Sequence, residues 1–495
     1  MPPGNILFLT NSELSQGNIT LGVAYEFLVH TPQLRVHIAS FASLAIYVDH
    51  LNHDTGARTP ITGREVIFHT LPAFCKRDAQ DREGLLPRNA FDAPALGFVS
   101  ALRAYHRVTA PASLPWTAAE YVSMYSRITK LVLELKPVVV VVDPTLAPGV
   151  DVCRKLGWSY VMLGSGTVKD YLGAAGIKEL SRFPVVGSGY DYPLSRLQAI
   201  KNIALGFALR VGARCSDHTK KKVRARRPEQ RLTGPVPGMS FRIDDRALIL
   251  LPSHRCCDFQ ISAPSNVVLC GPITRPFRPV GEDYPEFSLW LRQRPTVLIN
   301  MGLRTSYQRR EQIEFATAIV TLLNCRPELQ VLWKLRLDDP DVEVDHEVRK
   351  LKSTVLPRNR LRVYDWFPVE PLAMLMSGNV VCVVHHGGAN AYHEAIRAAI
   401  PQIVLPLQLD VFDYAQRVEY LGVGVWGSRK TTPRVTGAEL VKAMLCVLTT
   451  AEGDAMRQRA EKVSLKLLRK NGRVVAHEKI LETIGYRRMP RVAGF

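Results

Sequence analysis

Residues 385–410 carry side chains that could hold a phosphate, a ribose and a hexose one after another. A buried strand is predicted at 380–384, because four valines surround a single cysteine there. The turn that follows, 386–390, has the sequence His-Gly-Gly-Ala-Asn, whose small residues let an anion approach the backbone. It leads into a predicted helix, and the free N–H groups and dipole of a helix start favour negative charge. This pattern is typical of a phosphate site.

Two carboxylates follow the turn. Glu394 lies one helical turn after Asn390 on the same face, where it could accept hydrogen bonds from a ribose diol. A second apolar strand, predicted at 402–405, leads to Asp410. Ligands of open α/β sheets bind at the carboxyl ends of strands, so Asp410 is a candidate for contact with sugar hydroxyls.

These residues resemble the donor signature of the UDP-glycosyltransferases, the family 1 enzymes with the GT-B fold. That signature runs from a tryptophan that stacks on uracil, through a His-x-Gly-x-Asn-Ser turn and a glutamate, to an Asp-Gln pair. The residues of this chain that match it in order and spacing are Trp366, His386, Gly388, Asn390, Glu394 and Asp410. The resemblance implies that Trp366 stacks on the base, that His386 and Asn390 contact the diphosphate, that Glu394 binds the ribose and that Asp410 binds the transferred sugar.

The chain departs from this signature at two positions. Ala391 replaces the serine, which removes a hydroxyl but keeps a backbone N–H for the donor. Val411 replaces the closing glutamine and cannot hydrogen-bond a sugar hydroxyl. Glucose is the sugar that the resemblance implies, and Val411 leaves other sugars open. Earlier in the same half, Gly302 resembles the strand-end glycine of the family, with Leu303 in place of its usual serine.

Strand and helix patterns alternate in both halves of the chain. The predicted strands of the first half are 5–10, 35–40, 66–69, 138–142, 160–163, 247–251 and 267–269, and a helix is predicted at 19–29. The predicted strands of the second half are 296–300, 331–334, 361–364, 380–384 and 402–405. The segment 271–290 is rich in proline, arginine and acidic residues and lacks periodicity, which is typical of a linker.

We therefore expect an α/β protein with the GT-B arrangement, in which two Rossmann-like domains with parallel sheets face each other across a cleft. The expected divisions are an acceptor-binding domain at 1–270, a linker at 271–290, a nucleotide-sugar-binding domain at 291–455 and terminal helices at 456–495. The resemblance implies that the terminal helices pack back onto the first domain.

The first domain should supply a base that deprotonates the acceptor. In the family this base is a histidine after the first strand, and an aspartate at the end of a later strand orients it. Asp143 follows the predicted strand 138–142 as that pattern requires, but Gln16 stands where the histidine should be. An amide cannot take a proton near neutral pH. The resemblance extends to soluble fungal members of the family, which often carry glutamine at this place.

Several explanations remain open for the missing histidine. Asp143 could act as the base itself or through a water, and Glu13 in the same turn as Gln16 is a second carboxylate candidate. Another imidazole, such as that of His106, could take the role. Alternatively, the chain could bind a nucleotide sugar without turnover, as a partner or regulatory subunit.

Composition limits the other functional classes. The chain has 495 residues and a formal net charge of +19, with the densest basic cluster at 220–227. That cluster is interpreted as a solvated loop, with peripheral contact with an anionic membrane as the alternative. No aromatic residues interleave it, so nucleic acid is not an expected partner. Nine cysteines without paired spacing, apart from Cys256-Cys257, favour reduced thiols and a cytoplasmic protein.

The expected reaction is an inverting transfer from a UDP-sugar to a small apolar acceptor with a hydroxyl, such as a terpenoid, sterol, polyketide or lipid. The UDP-sugar is a co-substrate, and we expect no cofactor and no metal. His393-Glu394 is followed by Arg397 where a His-Glu-x-x-His zinc site needs a second histidine.

Overall fold

The protein forms two parallel β-sheets flanked by helices. The structure is a computed structural model, and it describes residues 4–58, 64–85, 91, 96–172, 176–215, 247–303, 305–337, 359–407, 410–468 and 471–485. The basic cluster at 220–227 lies outside the described residues. No helix in the described ranges is both long enough and apolar enough to cross a membrane.

The first sheet has seven parallel strands in the order β3-β2-β1-β4-β5-β6-β7. Its strands are β1 (Gly4–Leu9), β2 (Leu34–Ser40), β3 (Ile67–Thr70), β4 (Val139–Val142), β5 (Tyr160–Leu163), β6 (Leu248–Leu251) and β7 (Val267–Leu269). The four valines of β4 are all buried, because helices cover both faces of a parallel sheet. The predicted strands of the first half agree with these bounds to within a residue or so at each end.

Ten helices of the described residues accompany this sheet. They are α1 (Leu14–His30), α2 (Ala45–Arg58), α3 (Lys76–Arg82), α4 (Phe98–Ala104), α5 (Ala110–Ser113), α6 (Ala118–Leu135), α7 (Ala147–Leu156), α8 (Val168–Leu172), α9 (Ile177–Leu180) and α10 (Arg196–Cys215). Helix α1 begins five residues before the predicted start at 19, so the turn that carries Glu13 and Gln16 is already its first turn.

The second sheet has six parallel strands in the order β10-β9-β8-β11-β12-β13. Its strands are β8 (Thr296–Asn300), β9 (Gln330–Lys334), β10 (Leu361–Tyr364), β11 (Val380–His385), β12 (Gln402–Val404) and β13 (Gly424–Trp426). The accompanying helices are α11 (Val280–Asp283), α12 (Pro285–Gln293), α13 (Arg309–Cys325), α14 (Pro371–Leu375), α15 (Ala389–Arg397), α16 (Val411–Leu421), α17 (Gly437–Thr449), α18 (Ala451–Leu468) and α19 (Gly472–Thr483).

Two features of this half differ from the sequence-based expectations. The segment 271–290 is not irregular throughout, because α11 and the start of α12 lie within it, and Phe287, Trp290 and Leu291 are buried against strands of the second sheet. The short edge strand β13 was not predicted. A Cβ atom on Gly424 would lie 1.9 Å from the Gln402 carbonyl oxygen, so the close pairing of β13 with β12 requires glycine.

The two sheets are joined by contacts between elements far apart in the chain. Helix α19 packs on α1, where His477 Nε2 lies 2.7 Å from Thr31 Oγ1 and the His477 ring is 4.5 Å from the Phe27 ring centroid. Helix α16 contributes Arg417, which is 1% exposed and pairs with Asp258 in the loop after β6. The order of strands in each sheet reverses beside β1 and β4, and beside β8 and β11. Crevices at such switch points are where open α/β sheets bind ligands.

Candidate active site

The turn after β11 is held by a neutral histidine. His385 is fully buried, and burial lowers its pKa to about 3. Its Nδ1 accepts a hydrogen bond of 3.0 Å from the Gly387 backbone N–H, which leaves Nε2 as the donor to Gln402 Oε1 at 2.9 Å. His385 therefore fixes the turn that presents the next residue, His386, and is itself withdrawn from solvent.

His386 stands between two glycines. A Cβ atom on Gly302 would lie 2.5 Å from His386 Cε1, and a Cβ on Gly388 would lie 2.5 Å from His386 Nε2. Gly302 also has a φ of +84°, a conformation that residues with a Cβ rarely adopt. The imidazole thus fills the space at the carboxyl ends of β8 and β11 only because both neighbours lack side chains.

Asn390 connects the start of α15 with the start of α1. Its Nδ2 donates a hydrogen bond of 2.8 Å to the Leu14 carbonyl oxygen, 376 positions earlier in the chain. Leu14 is the first residue of α1, and Ala391 follows Asn390 in the first turn of α15. The N-terminal ends of these two helices therefore meet across the cleft, and their partial positive charges converge there.

Trp366 carries a lysine on one face. Its side chain is 50% exposed, and Lys334 Nζ lies 3.7 Å from the ring centroid and 3.4 Å from the Gly302 carbonyl oxygen. Burial lowers the pKa of Lys334 to about 8, with the nearby Arg336 charge acting in the same direction. Lys334 was not predicted, because one lysine at the end of a strand has no distinctive pattern. The available signal was its position directly after the apolar run 331–333 of β9.

Glu394 is partly buried in the second turn of α15. The pKa of its carboxyl is raised to about 8, mainly by burial and also by the negative charge of Glu370, while Arg275 and Arg397 oppose the shift. Glu370 itself pairs with Arg275 at 2.6 Å. Glu394 is therefore largely a neutral acid at neutral pH.

Asp410 immediately precedes α16. Although the residue keeps an exposed surface, loss of hydration around its carboxyl raises its pKa to about 6, and Asp170 of α8 adds to the shift. A residue of the first domain thus acts electrostatically on Asp410. The neighbouring Val411 is buried, so its side chain adds no polar contact.

Asp143, at the end of β4, is 3% exposed and accepts four hydrogen bonds. One oxygen accepts from the Asn11 backbone N–H at 3.3 Å and from Asn11 Nδ2 at 3.1 Å. The other accepts from the Thr145 backbone N–H and hydroxyl, both at 2.8 Å. Two carboxylate oxygens have about four lone-pair sites in all, so this carboxylate has its acceptor capacity filled by its own loops.

Glu13 differs from Asp143 in this respect. It precedes α1, and its Oε1 accepts a hydrogen bond of 2.7 Å from the Arg77 backbone N–H. Its Oε2 is buried and has no hydrogen-bond partner among the residues that the structure describes. Gln16 lies in the same turn, where its Oε1 accepts a hydrogen bond from the Ser15 hydroxyl. Within the described residues, a carboxylate oxygen without a hydrogen-bond partner thus lies beside the start of α1, which Asn390 contacts.

The other imidazoles lie in different surroundings. His106 belongs to a π-helical turn, Tyr105–Thr109, that packs against α4 and α10, and its ring contacts that of Tyr105. His393 is buried, and burial lowers its pKa to about 4. Within the described residues, no three histidine, cysteine or acidic side chains are grouped as they would be around a metal ion.

The structure therefore brings most of the predicted donor residues together. Lys334 contacts both the Trp366 ring and the Gly302 carbonyl oxygen, and the His386 ring lies against Gly302. Asn390 faces the turn of Glu13 and Gln16. Asp410 lies within electrostatic reach of Asp170 in the first domain. Asp143 is held in a separate network with Asn11 and Thr145.

The chain is similar in sequence to known proteins. Residues 336–469 match the C-terminal domain of the erythromycin biosynthesis protein CIII-like family. Over 438 residues the chain is 32% identical to glycosyltransferase sdnJ of Sordaria araneosa, in an alignment that covers 86% of this chain and 84% of that protein. Human 2-hydroxyacylsphingosine 1-beta-galactosyltransferase is 25% identical over 325 residues, which are 65% of this chain and 54% of that enzyme.

The fold is also similar to solved structures. A UDP-glucosyltransferase from Polygonum tinctorium, capable of glucosylating indoxyl, superposes with a TM-score of 0.65 at 15% identity, over 98% of this chain and 99% of that one. At that identity the similarity concerns the architecture of two facing α/β domains. The extended match to sdnJ is the stronger evidence, and it shows that the chain belongs to the family 1 glycosyltransferases, the UDP-glycosyltransferase family with the GT-B fold.

Proposed function

We propose that the protein transfers a hexose, with glucose as the first choice, from a UDP-sugar to a hydroxyl of a small apolar acceptor. The observation that carries this proposal is the contact of α15 with α1 through Asn390 and the Leu14 carbonyl, because it supports a donor turn that faces the first domain. The apolar acceptor is supported by the human relative, whose name describes galactosyl transfer to a sphingolipid.

The donor would lie along the carboxyl ends of β8, β9 and β11. Trp366 offers half of its surface for stacking on a base, and the start of α15 with His386 offers N–H groups for the diphosphate. Lys334 adds a positive charge close to the same place. These groups would stabilise the charge that develops on the departing UDP, so the proposed transfer needs no metal ion.

Glu13 is the base in this proposal. The acceptor oxygen attacks the anomeric carbon, and UDP leaves from the opposite face with the electrons of the broken bond. The proton of the acceptor passes to Glu13 Oε2, which is buried in this structure, so the Glu13 side chain must turn toward the cleft for this step. The free Oε2 atom supports this choice over Asp143, whose oxygens already accept four hydrogen bonds. Asp143 would instead hold Asn11 and Thr145 in place beneath the cleft.

The test is UDP release from UDP-glucose in the presence of hydroxylated terpenoids, sterols and phenols, with Glu13→Gln compared with Asp143→Asn. Glutamine preserves the acceptor for the Arg77 N–H but cannot take a proton. We expect Glu13→Gln to lower kcat by about a hundredfold or more while donor affinity stays within about twofold. Asp143→Asn should lower the melting temperature and reduce kcat less.

A larger kcat loss in folded Asp143→Asn than in Glu13→Gln would refute the assignment of the base. The transferase proposal itself has a separate test. Tight binding of UDP-glucose without acceptor-dependent UDP release from any UDP-sugar would favour a nucleotide-sugar-binding protein without turnover. Replacing UDP-glucose by UDP-galactose in the same assay would decide which sugar the site prefers.

A further inference from the structure

Helix α10 exposes a continuous apolar stripe to solvent. Leu197 is 61% exposed, Ile200 66%, Phe207 43% and Val211 63%, and Ala204 between them is exposed as well. Their spacings of three and four residues place them on one face of the helix. Single exposed apolar residues are common, but an ordered stripe of this kind indicates an interaction surface.

The opposite face fixes the orientation of the helix. Asn202 is fully buried, and its side chain hydrogen-bonds the Leu180 and Phe183 carbonyl oxygens at 2.7 and 2.8 Å. Leu205 and Leu209 are buried on the same side. Rotation of α10 to hide the stripe would therefore expose these leucines and break the hydrogen bonds of Asn202.

The charge around the stripe is positive. The sequence of α10 contains no acidic residue, and Arg196 and Lys201 are exposed beside the stripe. Asp191, which the helix contacts through Gln198, is paired with Arg429 at 2.9 Å, and Glu179 on the neighbouring α9 lies next to Lys178 in the sequence. An apolar face with a basic border is complementary to a bilayer that has an apolar interior and an anionic surface.

We propose that α10 lies in the plane of an anionic lipid surface and inserts this stripe at the boundary between headgroups and acyl chains. The neighbouring helices α4 and α9 pack on α10 and carry two further exposed aliphatic residues, Val99 at 56% and Ile177 at 61%. Pairing of two copies through this face is less favourable, because it would bring the basic borders of both copies together. The inference concerns attachment and is independent of the proposed transfer reaction.

The experiment is sedimentation of the full chain with vesicles made of equal parts of phosphatidylcholine and phosphatidylserine, and with vesicles of phosphatidylcholine alone. We expect binding to the anionic vesicles, weakened by salt. The double variant Ile200→Gln with Phe207→Gln should bind at least about tenfold more weakly. Each of Lys201→Gln and Arg196→Gln should weaken binding about fivefold.

A matched control removes similar apolar surface elsewhere. Leu289, 64% exposed on α12, and Leu465, 62% exposed on α18, are replaced together by glutamine, and this variant should bind like the wild type. Equal weakening by the control, or equal binding to uncharged vesicles, would overturn the proposal.

Two further measurements assign the stripe to another occupant if the lipid proposal is wrong. Sedimentation velocity that shows a wild-type dimer, dissociated by Ile200→Gln with Phe207→Gln, would assign the stripe to a second copy. A lower melting temperature of that double variant, compared with the control pair, would show that another part of the same chain covers it. The proposal requires a monomer whose melting temperature is the same in both double variants.

Discussion

The protonation state of Glu394 gives a quantitative test of the donor site. Its carboxyl has a pKa of about 8. A ribose diol donates two hydrogen bonds, so it binds the carboxylate better than the neutral acid, and binding must lower this pKa. Donor binding below pH 8 is therefore coupled to the release of a proton, and affinity should rise with pH.

The magnitude follows from the pKa. At one pH unit below it, about one tenth of the sites carry the carboxylate, which costs about 1.4 kcal/mol of binding free energy. The affinity for UDP-glucose should therefore increase about tenfold for each pH unit up to the pKa, and should fall at higher pH as Lys334, whose pKa is also about 8, loses its charge. The phosphates of a UDP-sugar stay fully ionised in this range, so the donor itself adds no slope.

Isothermal titration calorimetry across this pH range, in buffers with different ionisation enthalpies, measures both the affinity and the released proton. Glu394→Gln should bind more weakly at high pH and lose the slope and the proton release. Glu370→Gln removes a negative charge that raises the pKa, so its affinity should stop rising at a lower pH. A wild-type affinity that does not change with pH, or a slope that persists in Glu394→Gln, would refute the reasoning.

Two pairs of substitutions test the architecture of the site and of the fold. Gly302→Ala should weaken donor binding, because its Cβ would collide with the His386 ring. Gly84 also has a positive φ, but a Cβ there would have no atom within 4 Å. Gly84→Ala should therefore show backbone strain of about 1 kcal/mol and normal donor binding. Calorimetric titration and thermal melts distinguish the two effects, and equal donor affinity in both variants would contradict the crowding argument. Arg417→Met leaves a buried carboxylate unpaired and should cost about 3 to 5 kcal/mol in urea unfolding. Arg429→Met breaks two partly exposed ion pairs, with Asp191 and Glu419, and should cost less than about 1 kcal/mol. Similar losses in the two variants would show that burial does not set the cost.

The strands and the donor turn could be predicted because their signals are local. Four consecutive valines at β4 indicate a strand buried on both faces. The turn after β11 is recognisable from the small residues of its His-Gly-Gly sequence. The helices within 271–290 were missed because prolines and charged residues dilute the apolar pattern of Phe287, Trp290 and Leu291. Strand β13 was missed because three residues are too few to show a period.

The long-range parts of the site could not be read from the sequence. Two of the four hydrogen bonds that Asp143 accepts come from Asn11, more than a hundred residues earlier in the chain. The placement of Lys334 over Trp366 depends on the pairing of β9 with β10 and on the turn after β10. Sequence analysis identified the candidate side chains, whereas their hydrogen-bonding capacity and charge are set by tertiary contacts.

The hydrogen bond from Asn390 to the Leu14 carbonyl has a consequence for the order of events during turnover. The amide nitrogen has two protons, and one of them is already committed to the other domain. If the diphosphate takes the second proton, its charge polarises the amide and strengthens the first hydrogen bond. Donor occupancy and domain apposition would then be thermodynamically linked, so that each favours the other by the same factor. The donor would in this way act as its own effector, closing the cleft over the acceptor side before the transfer begins.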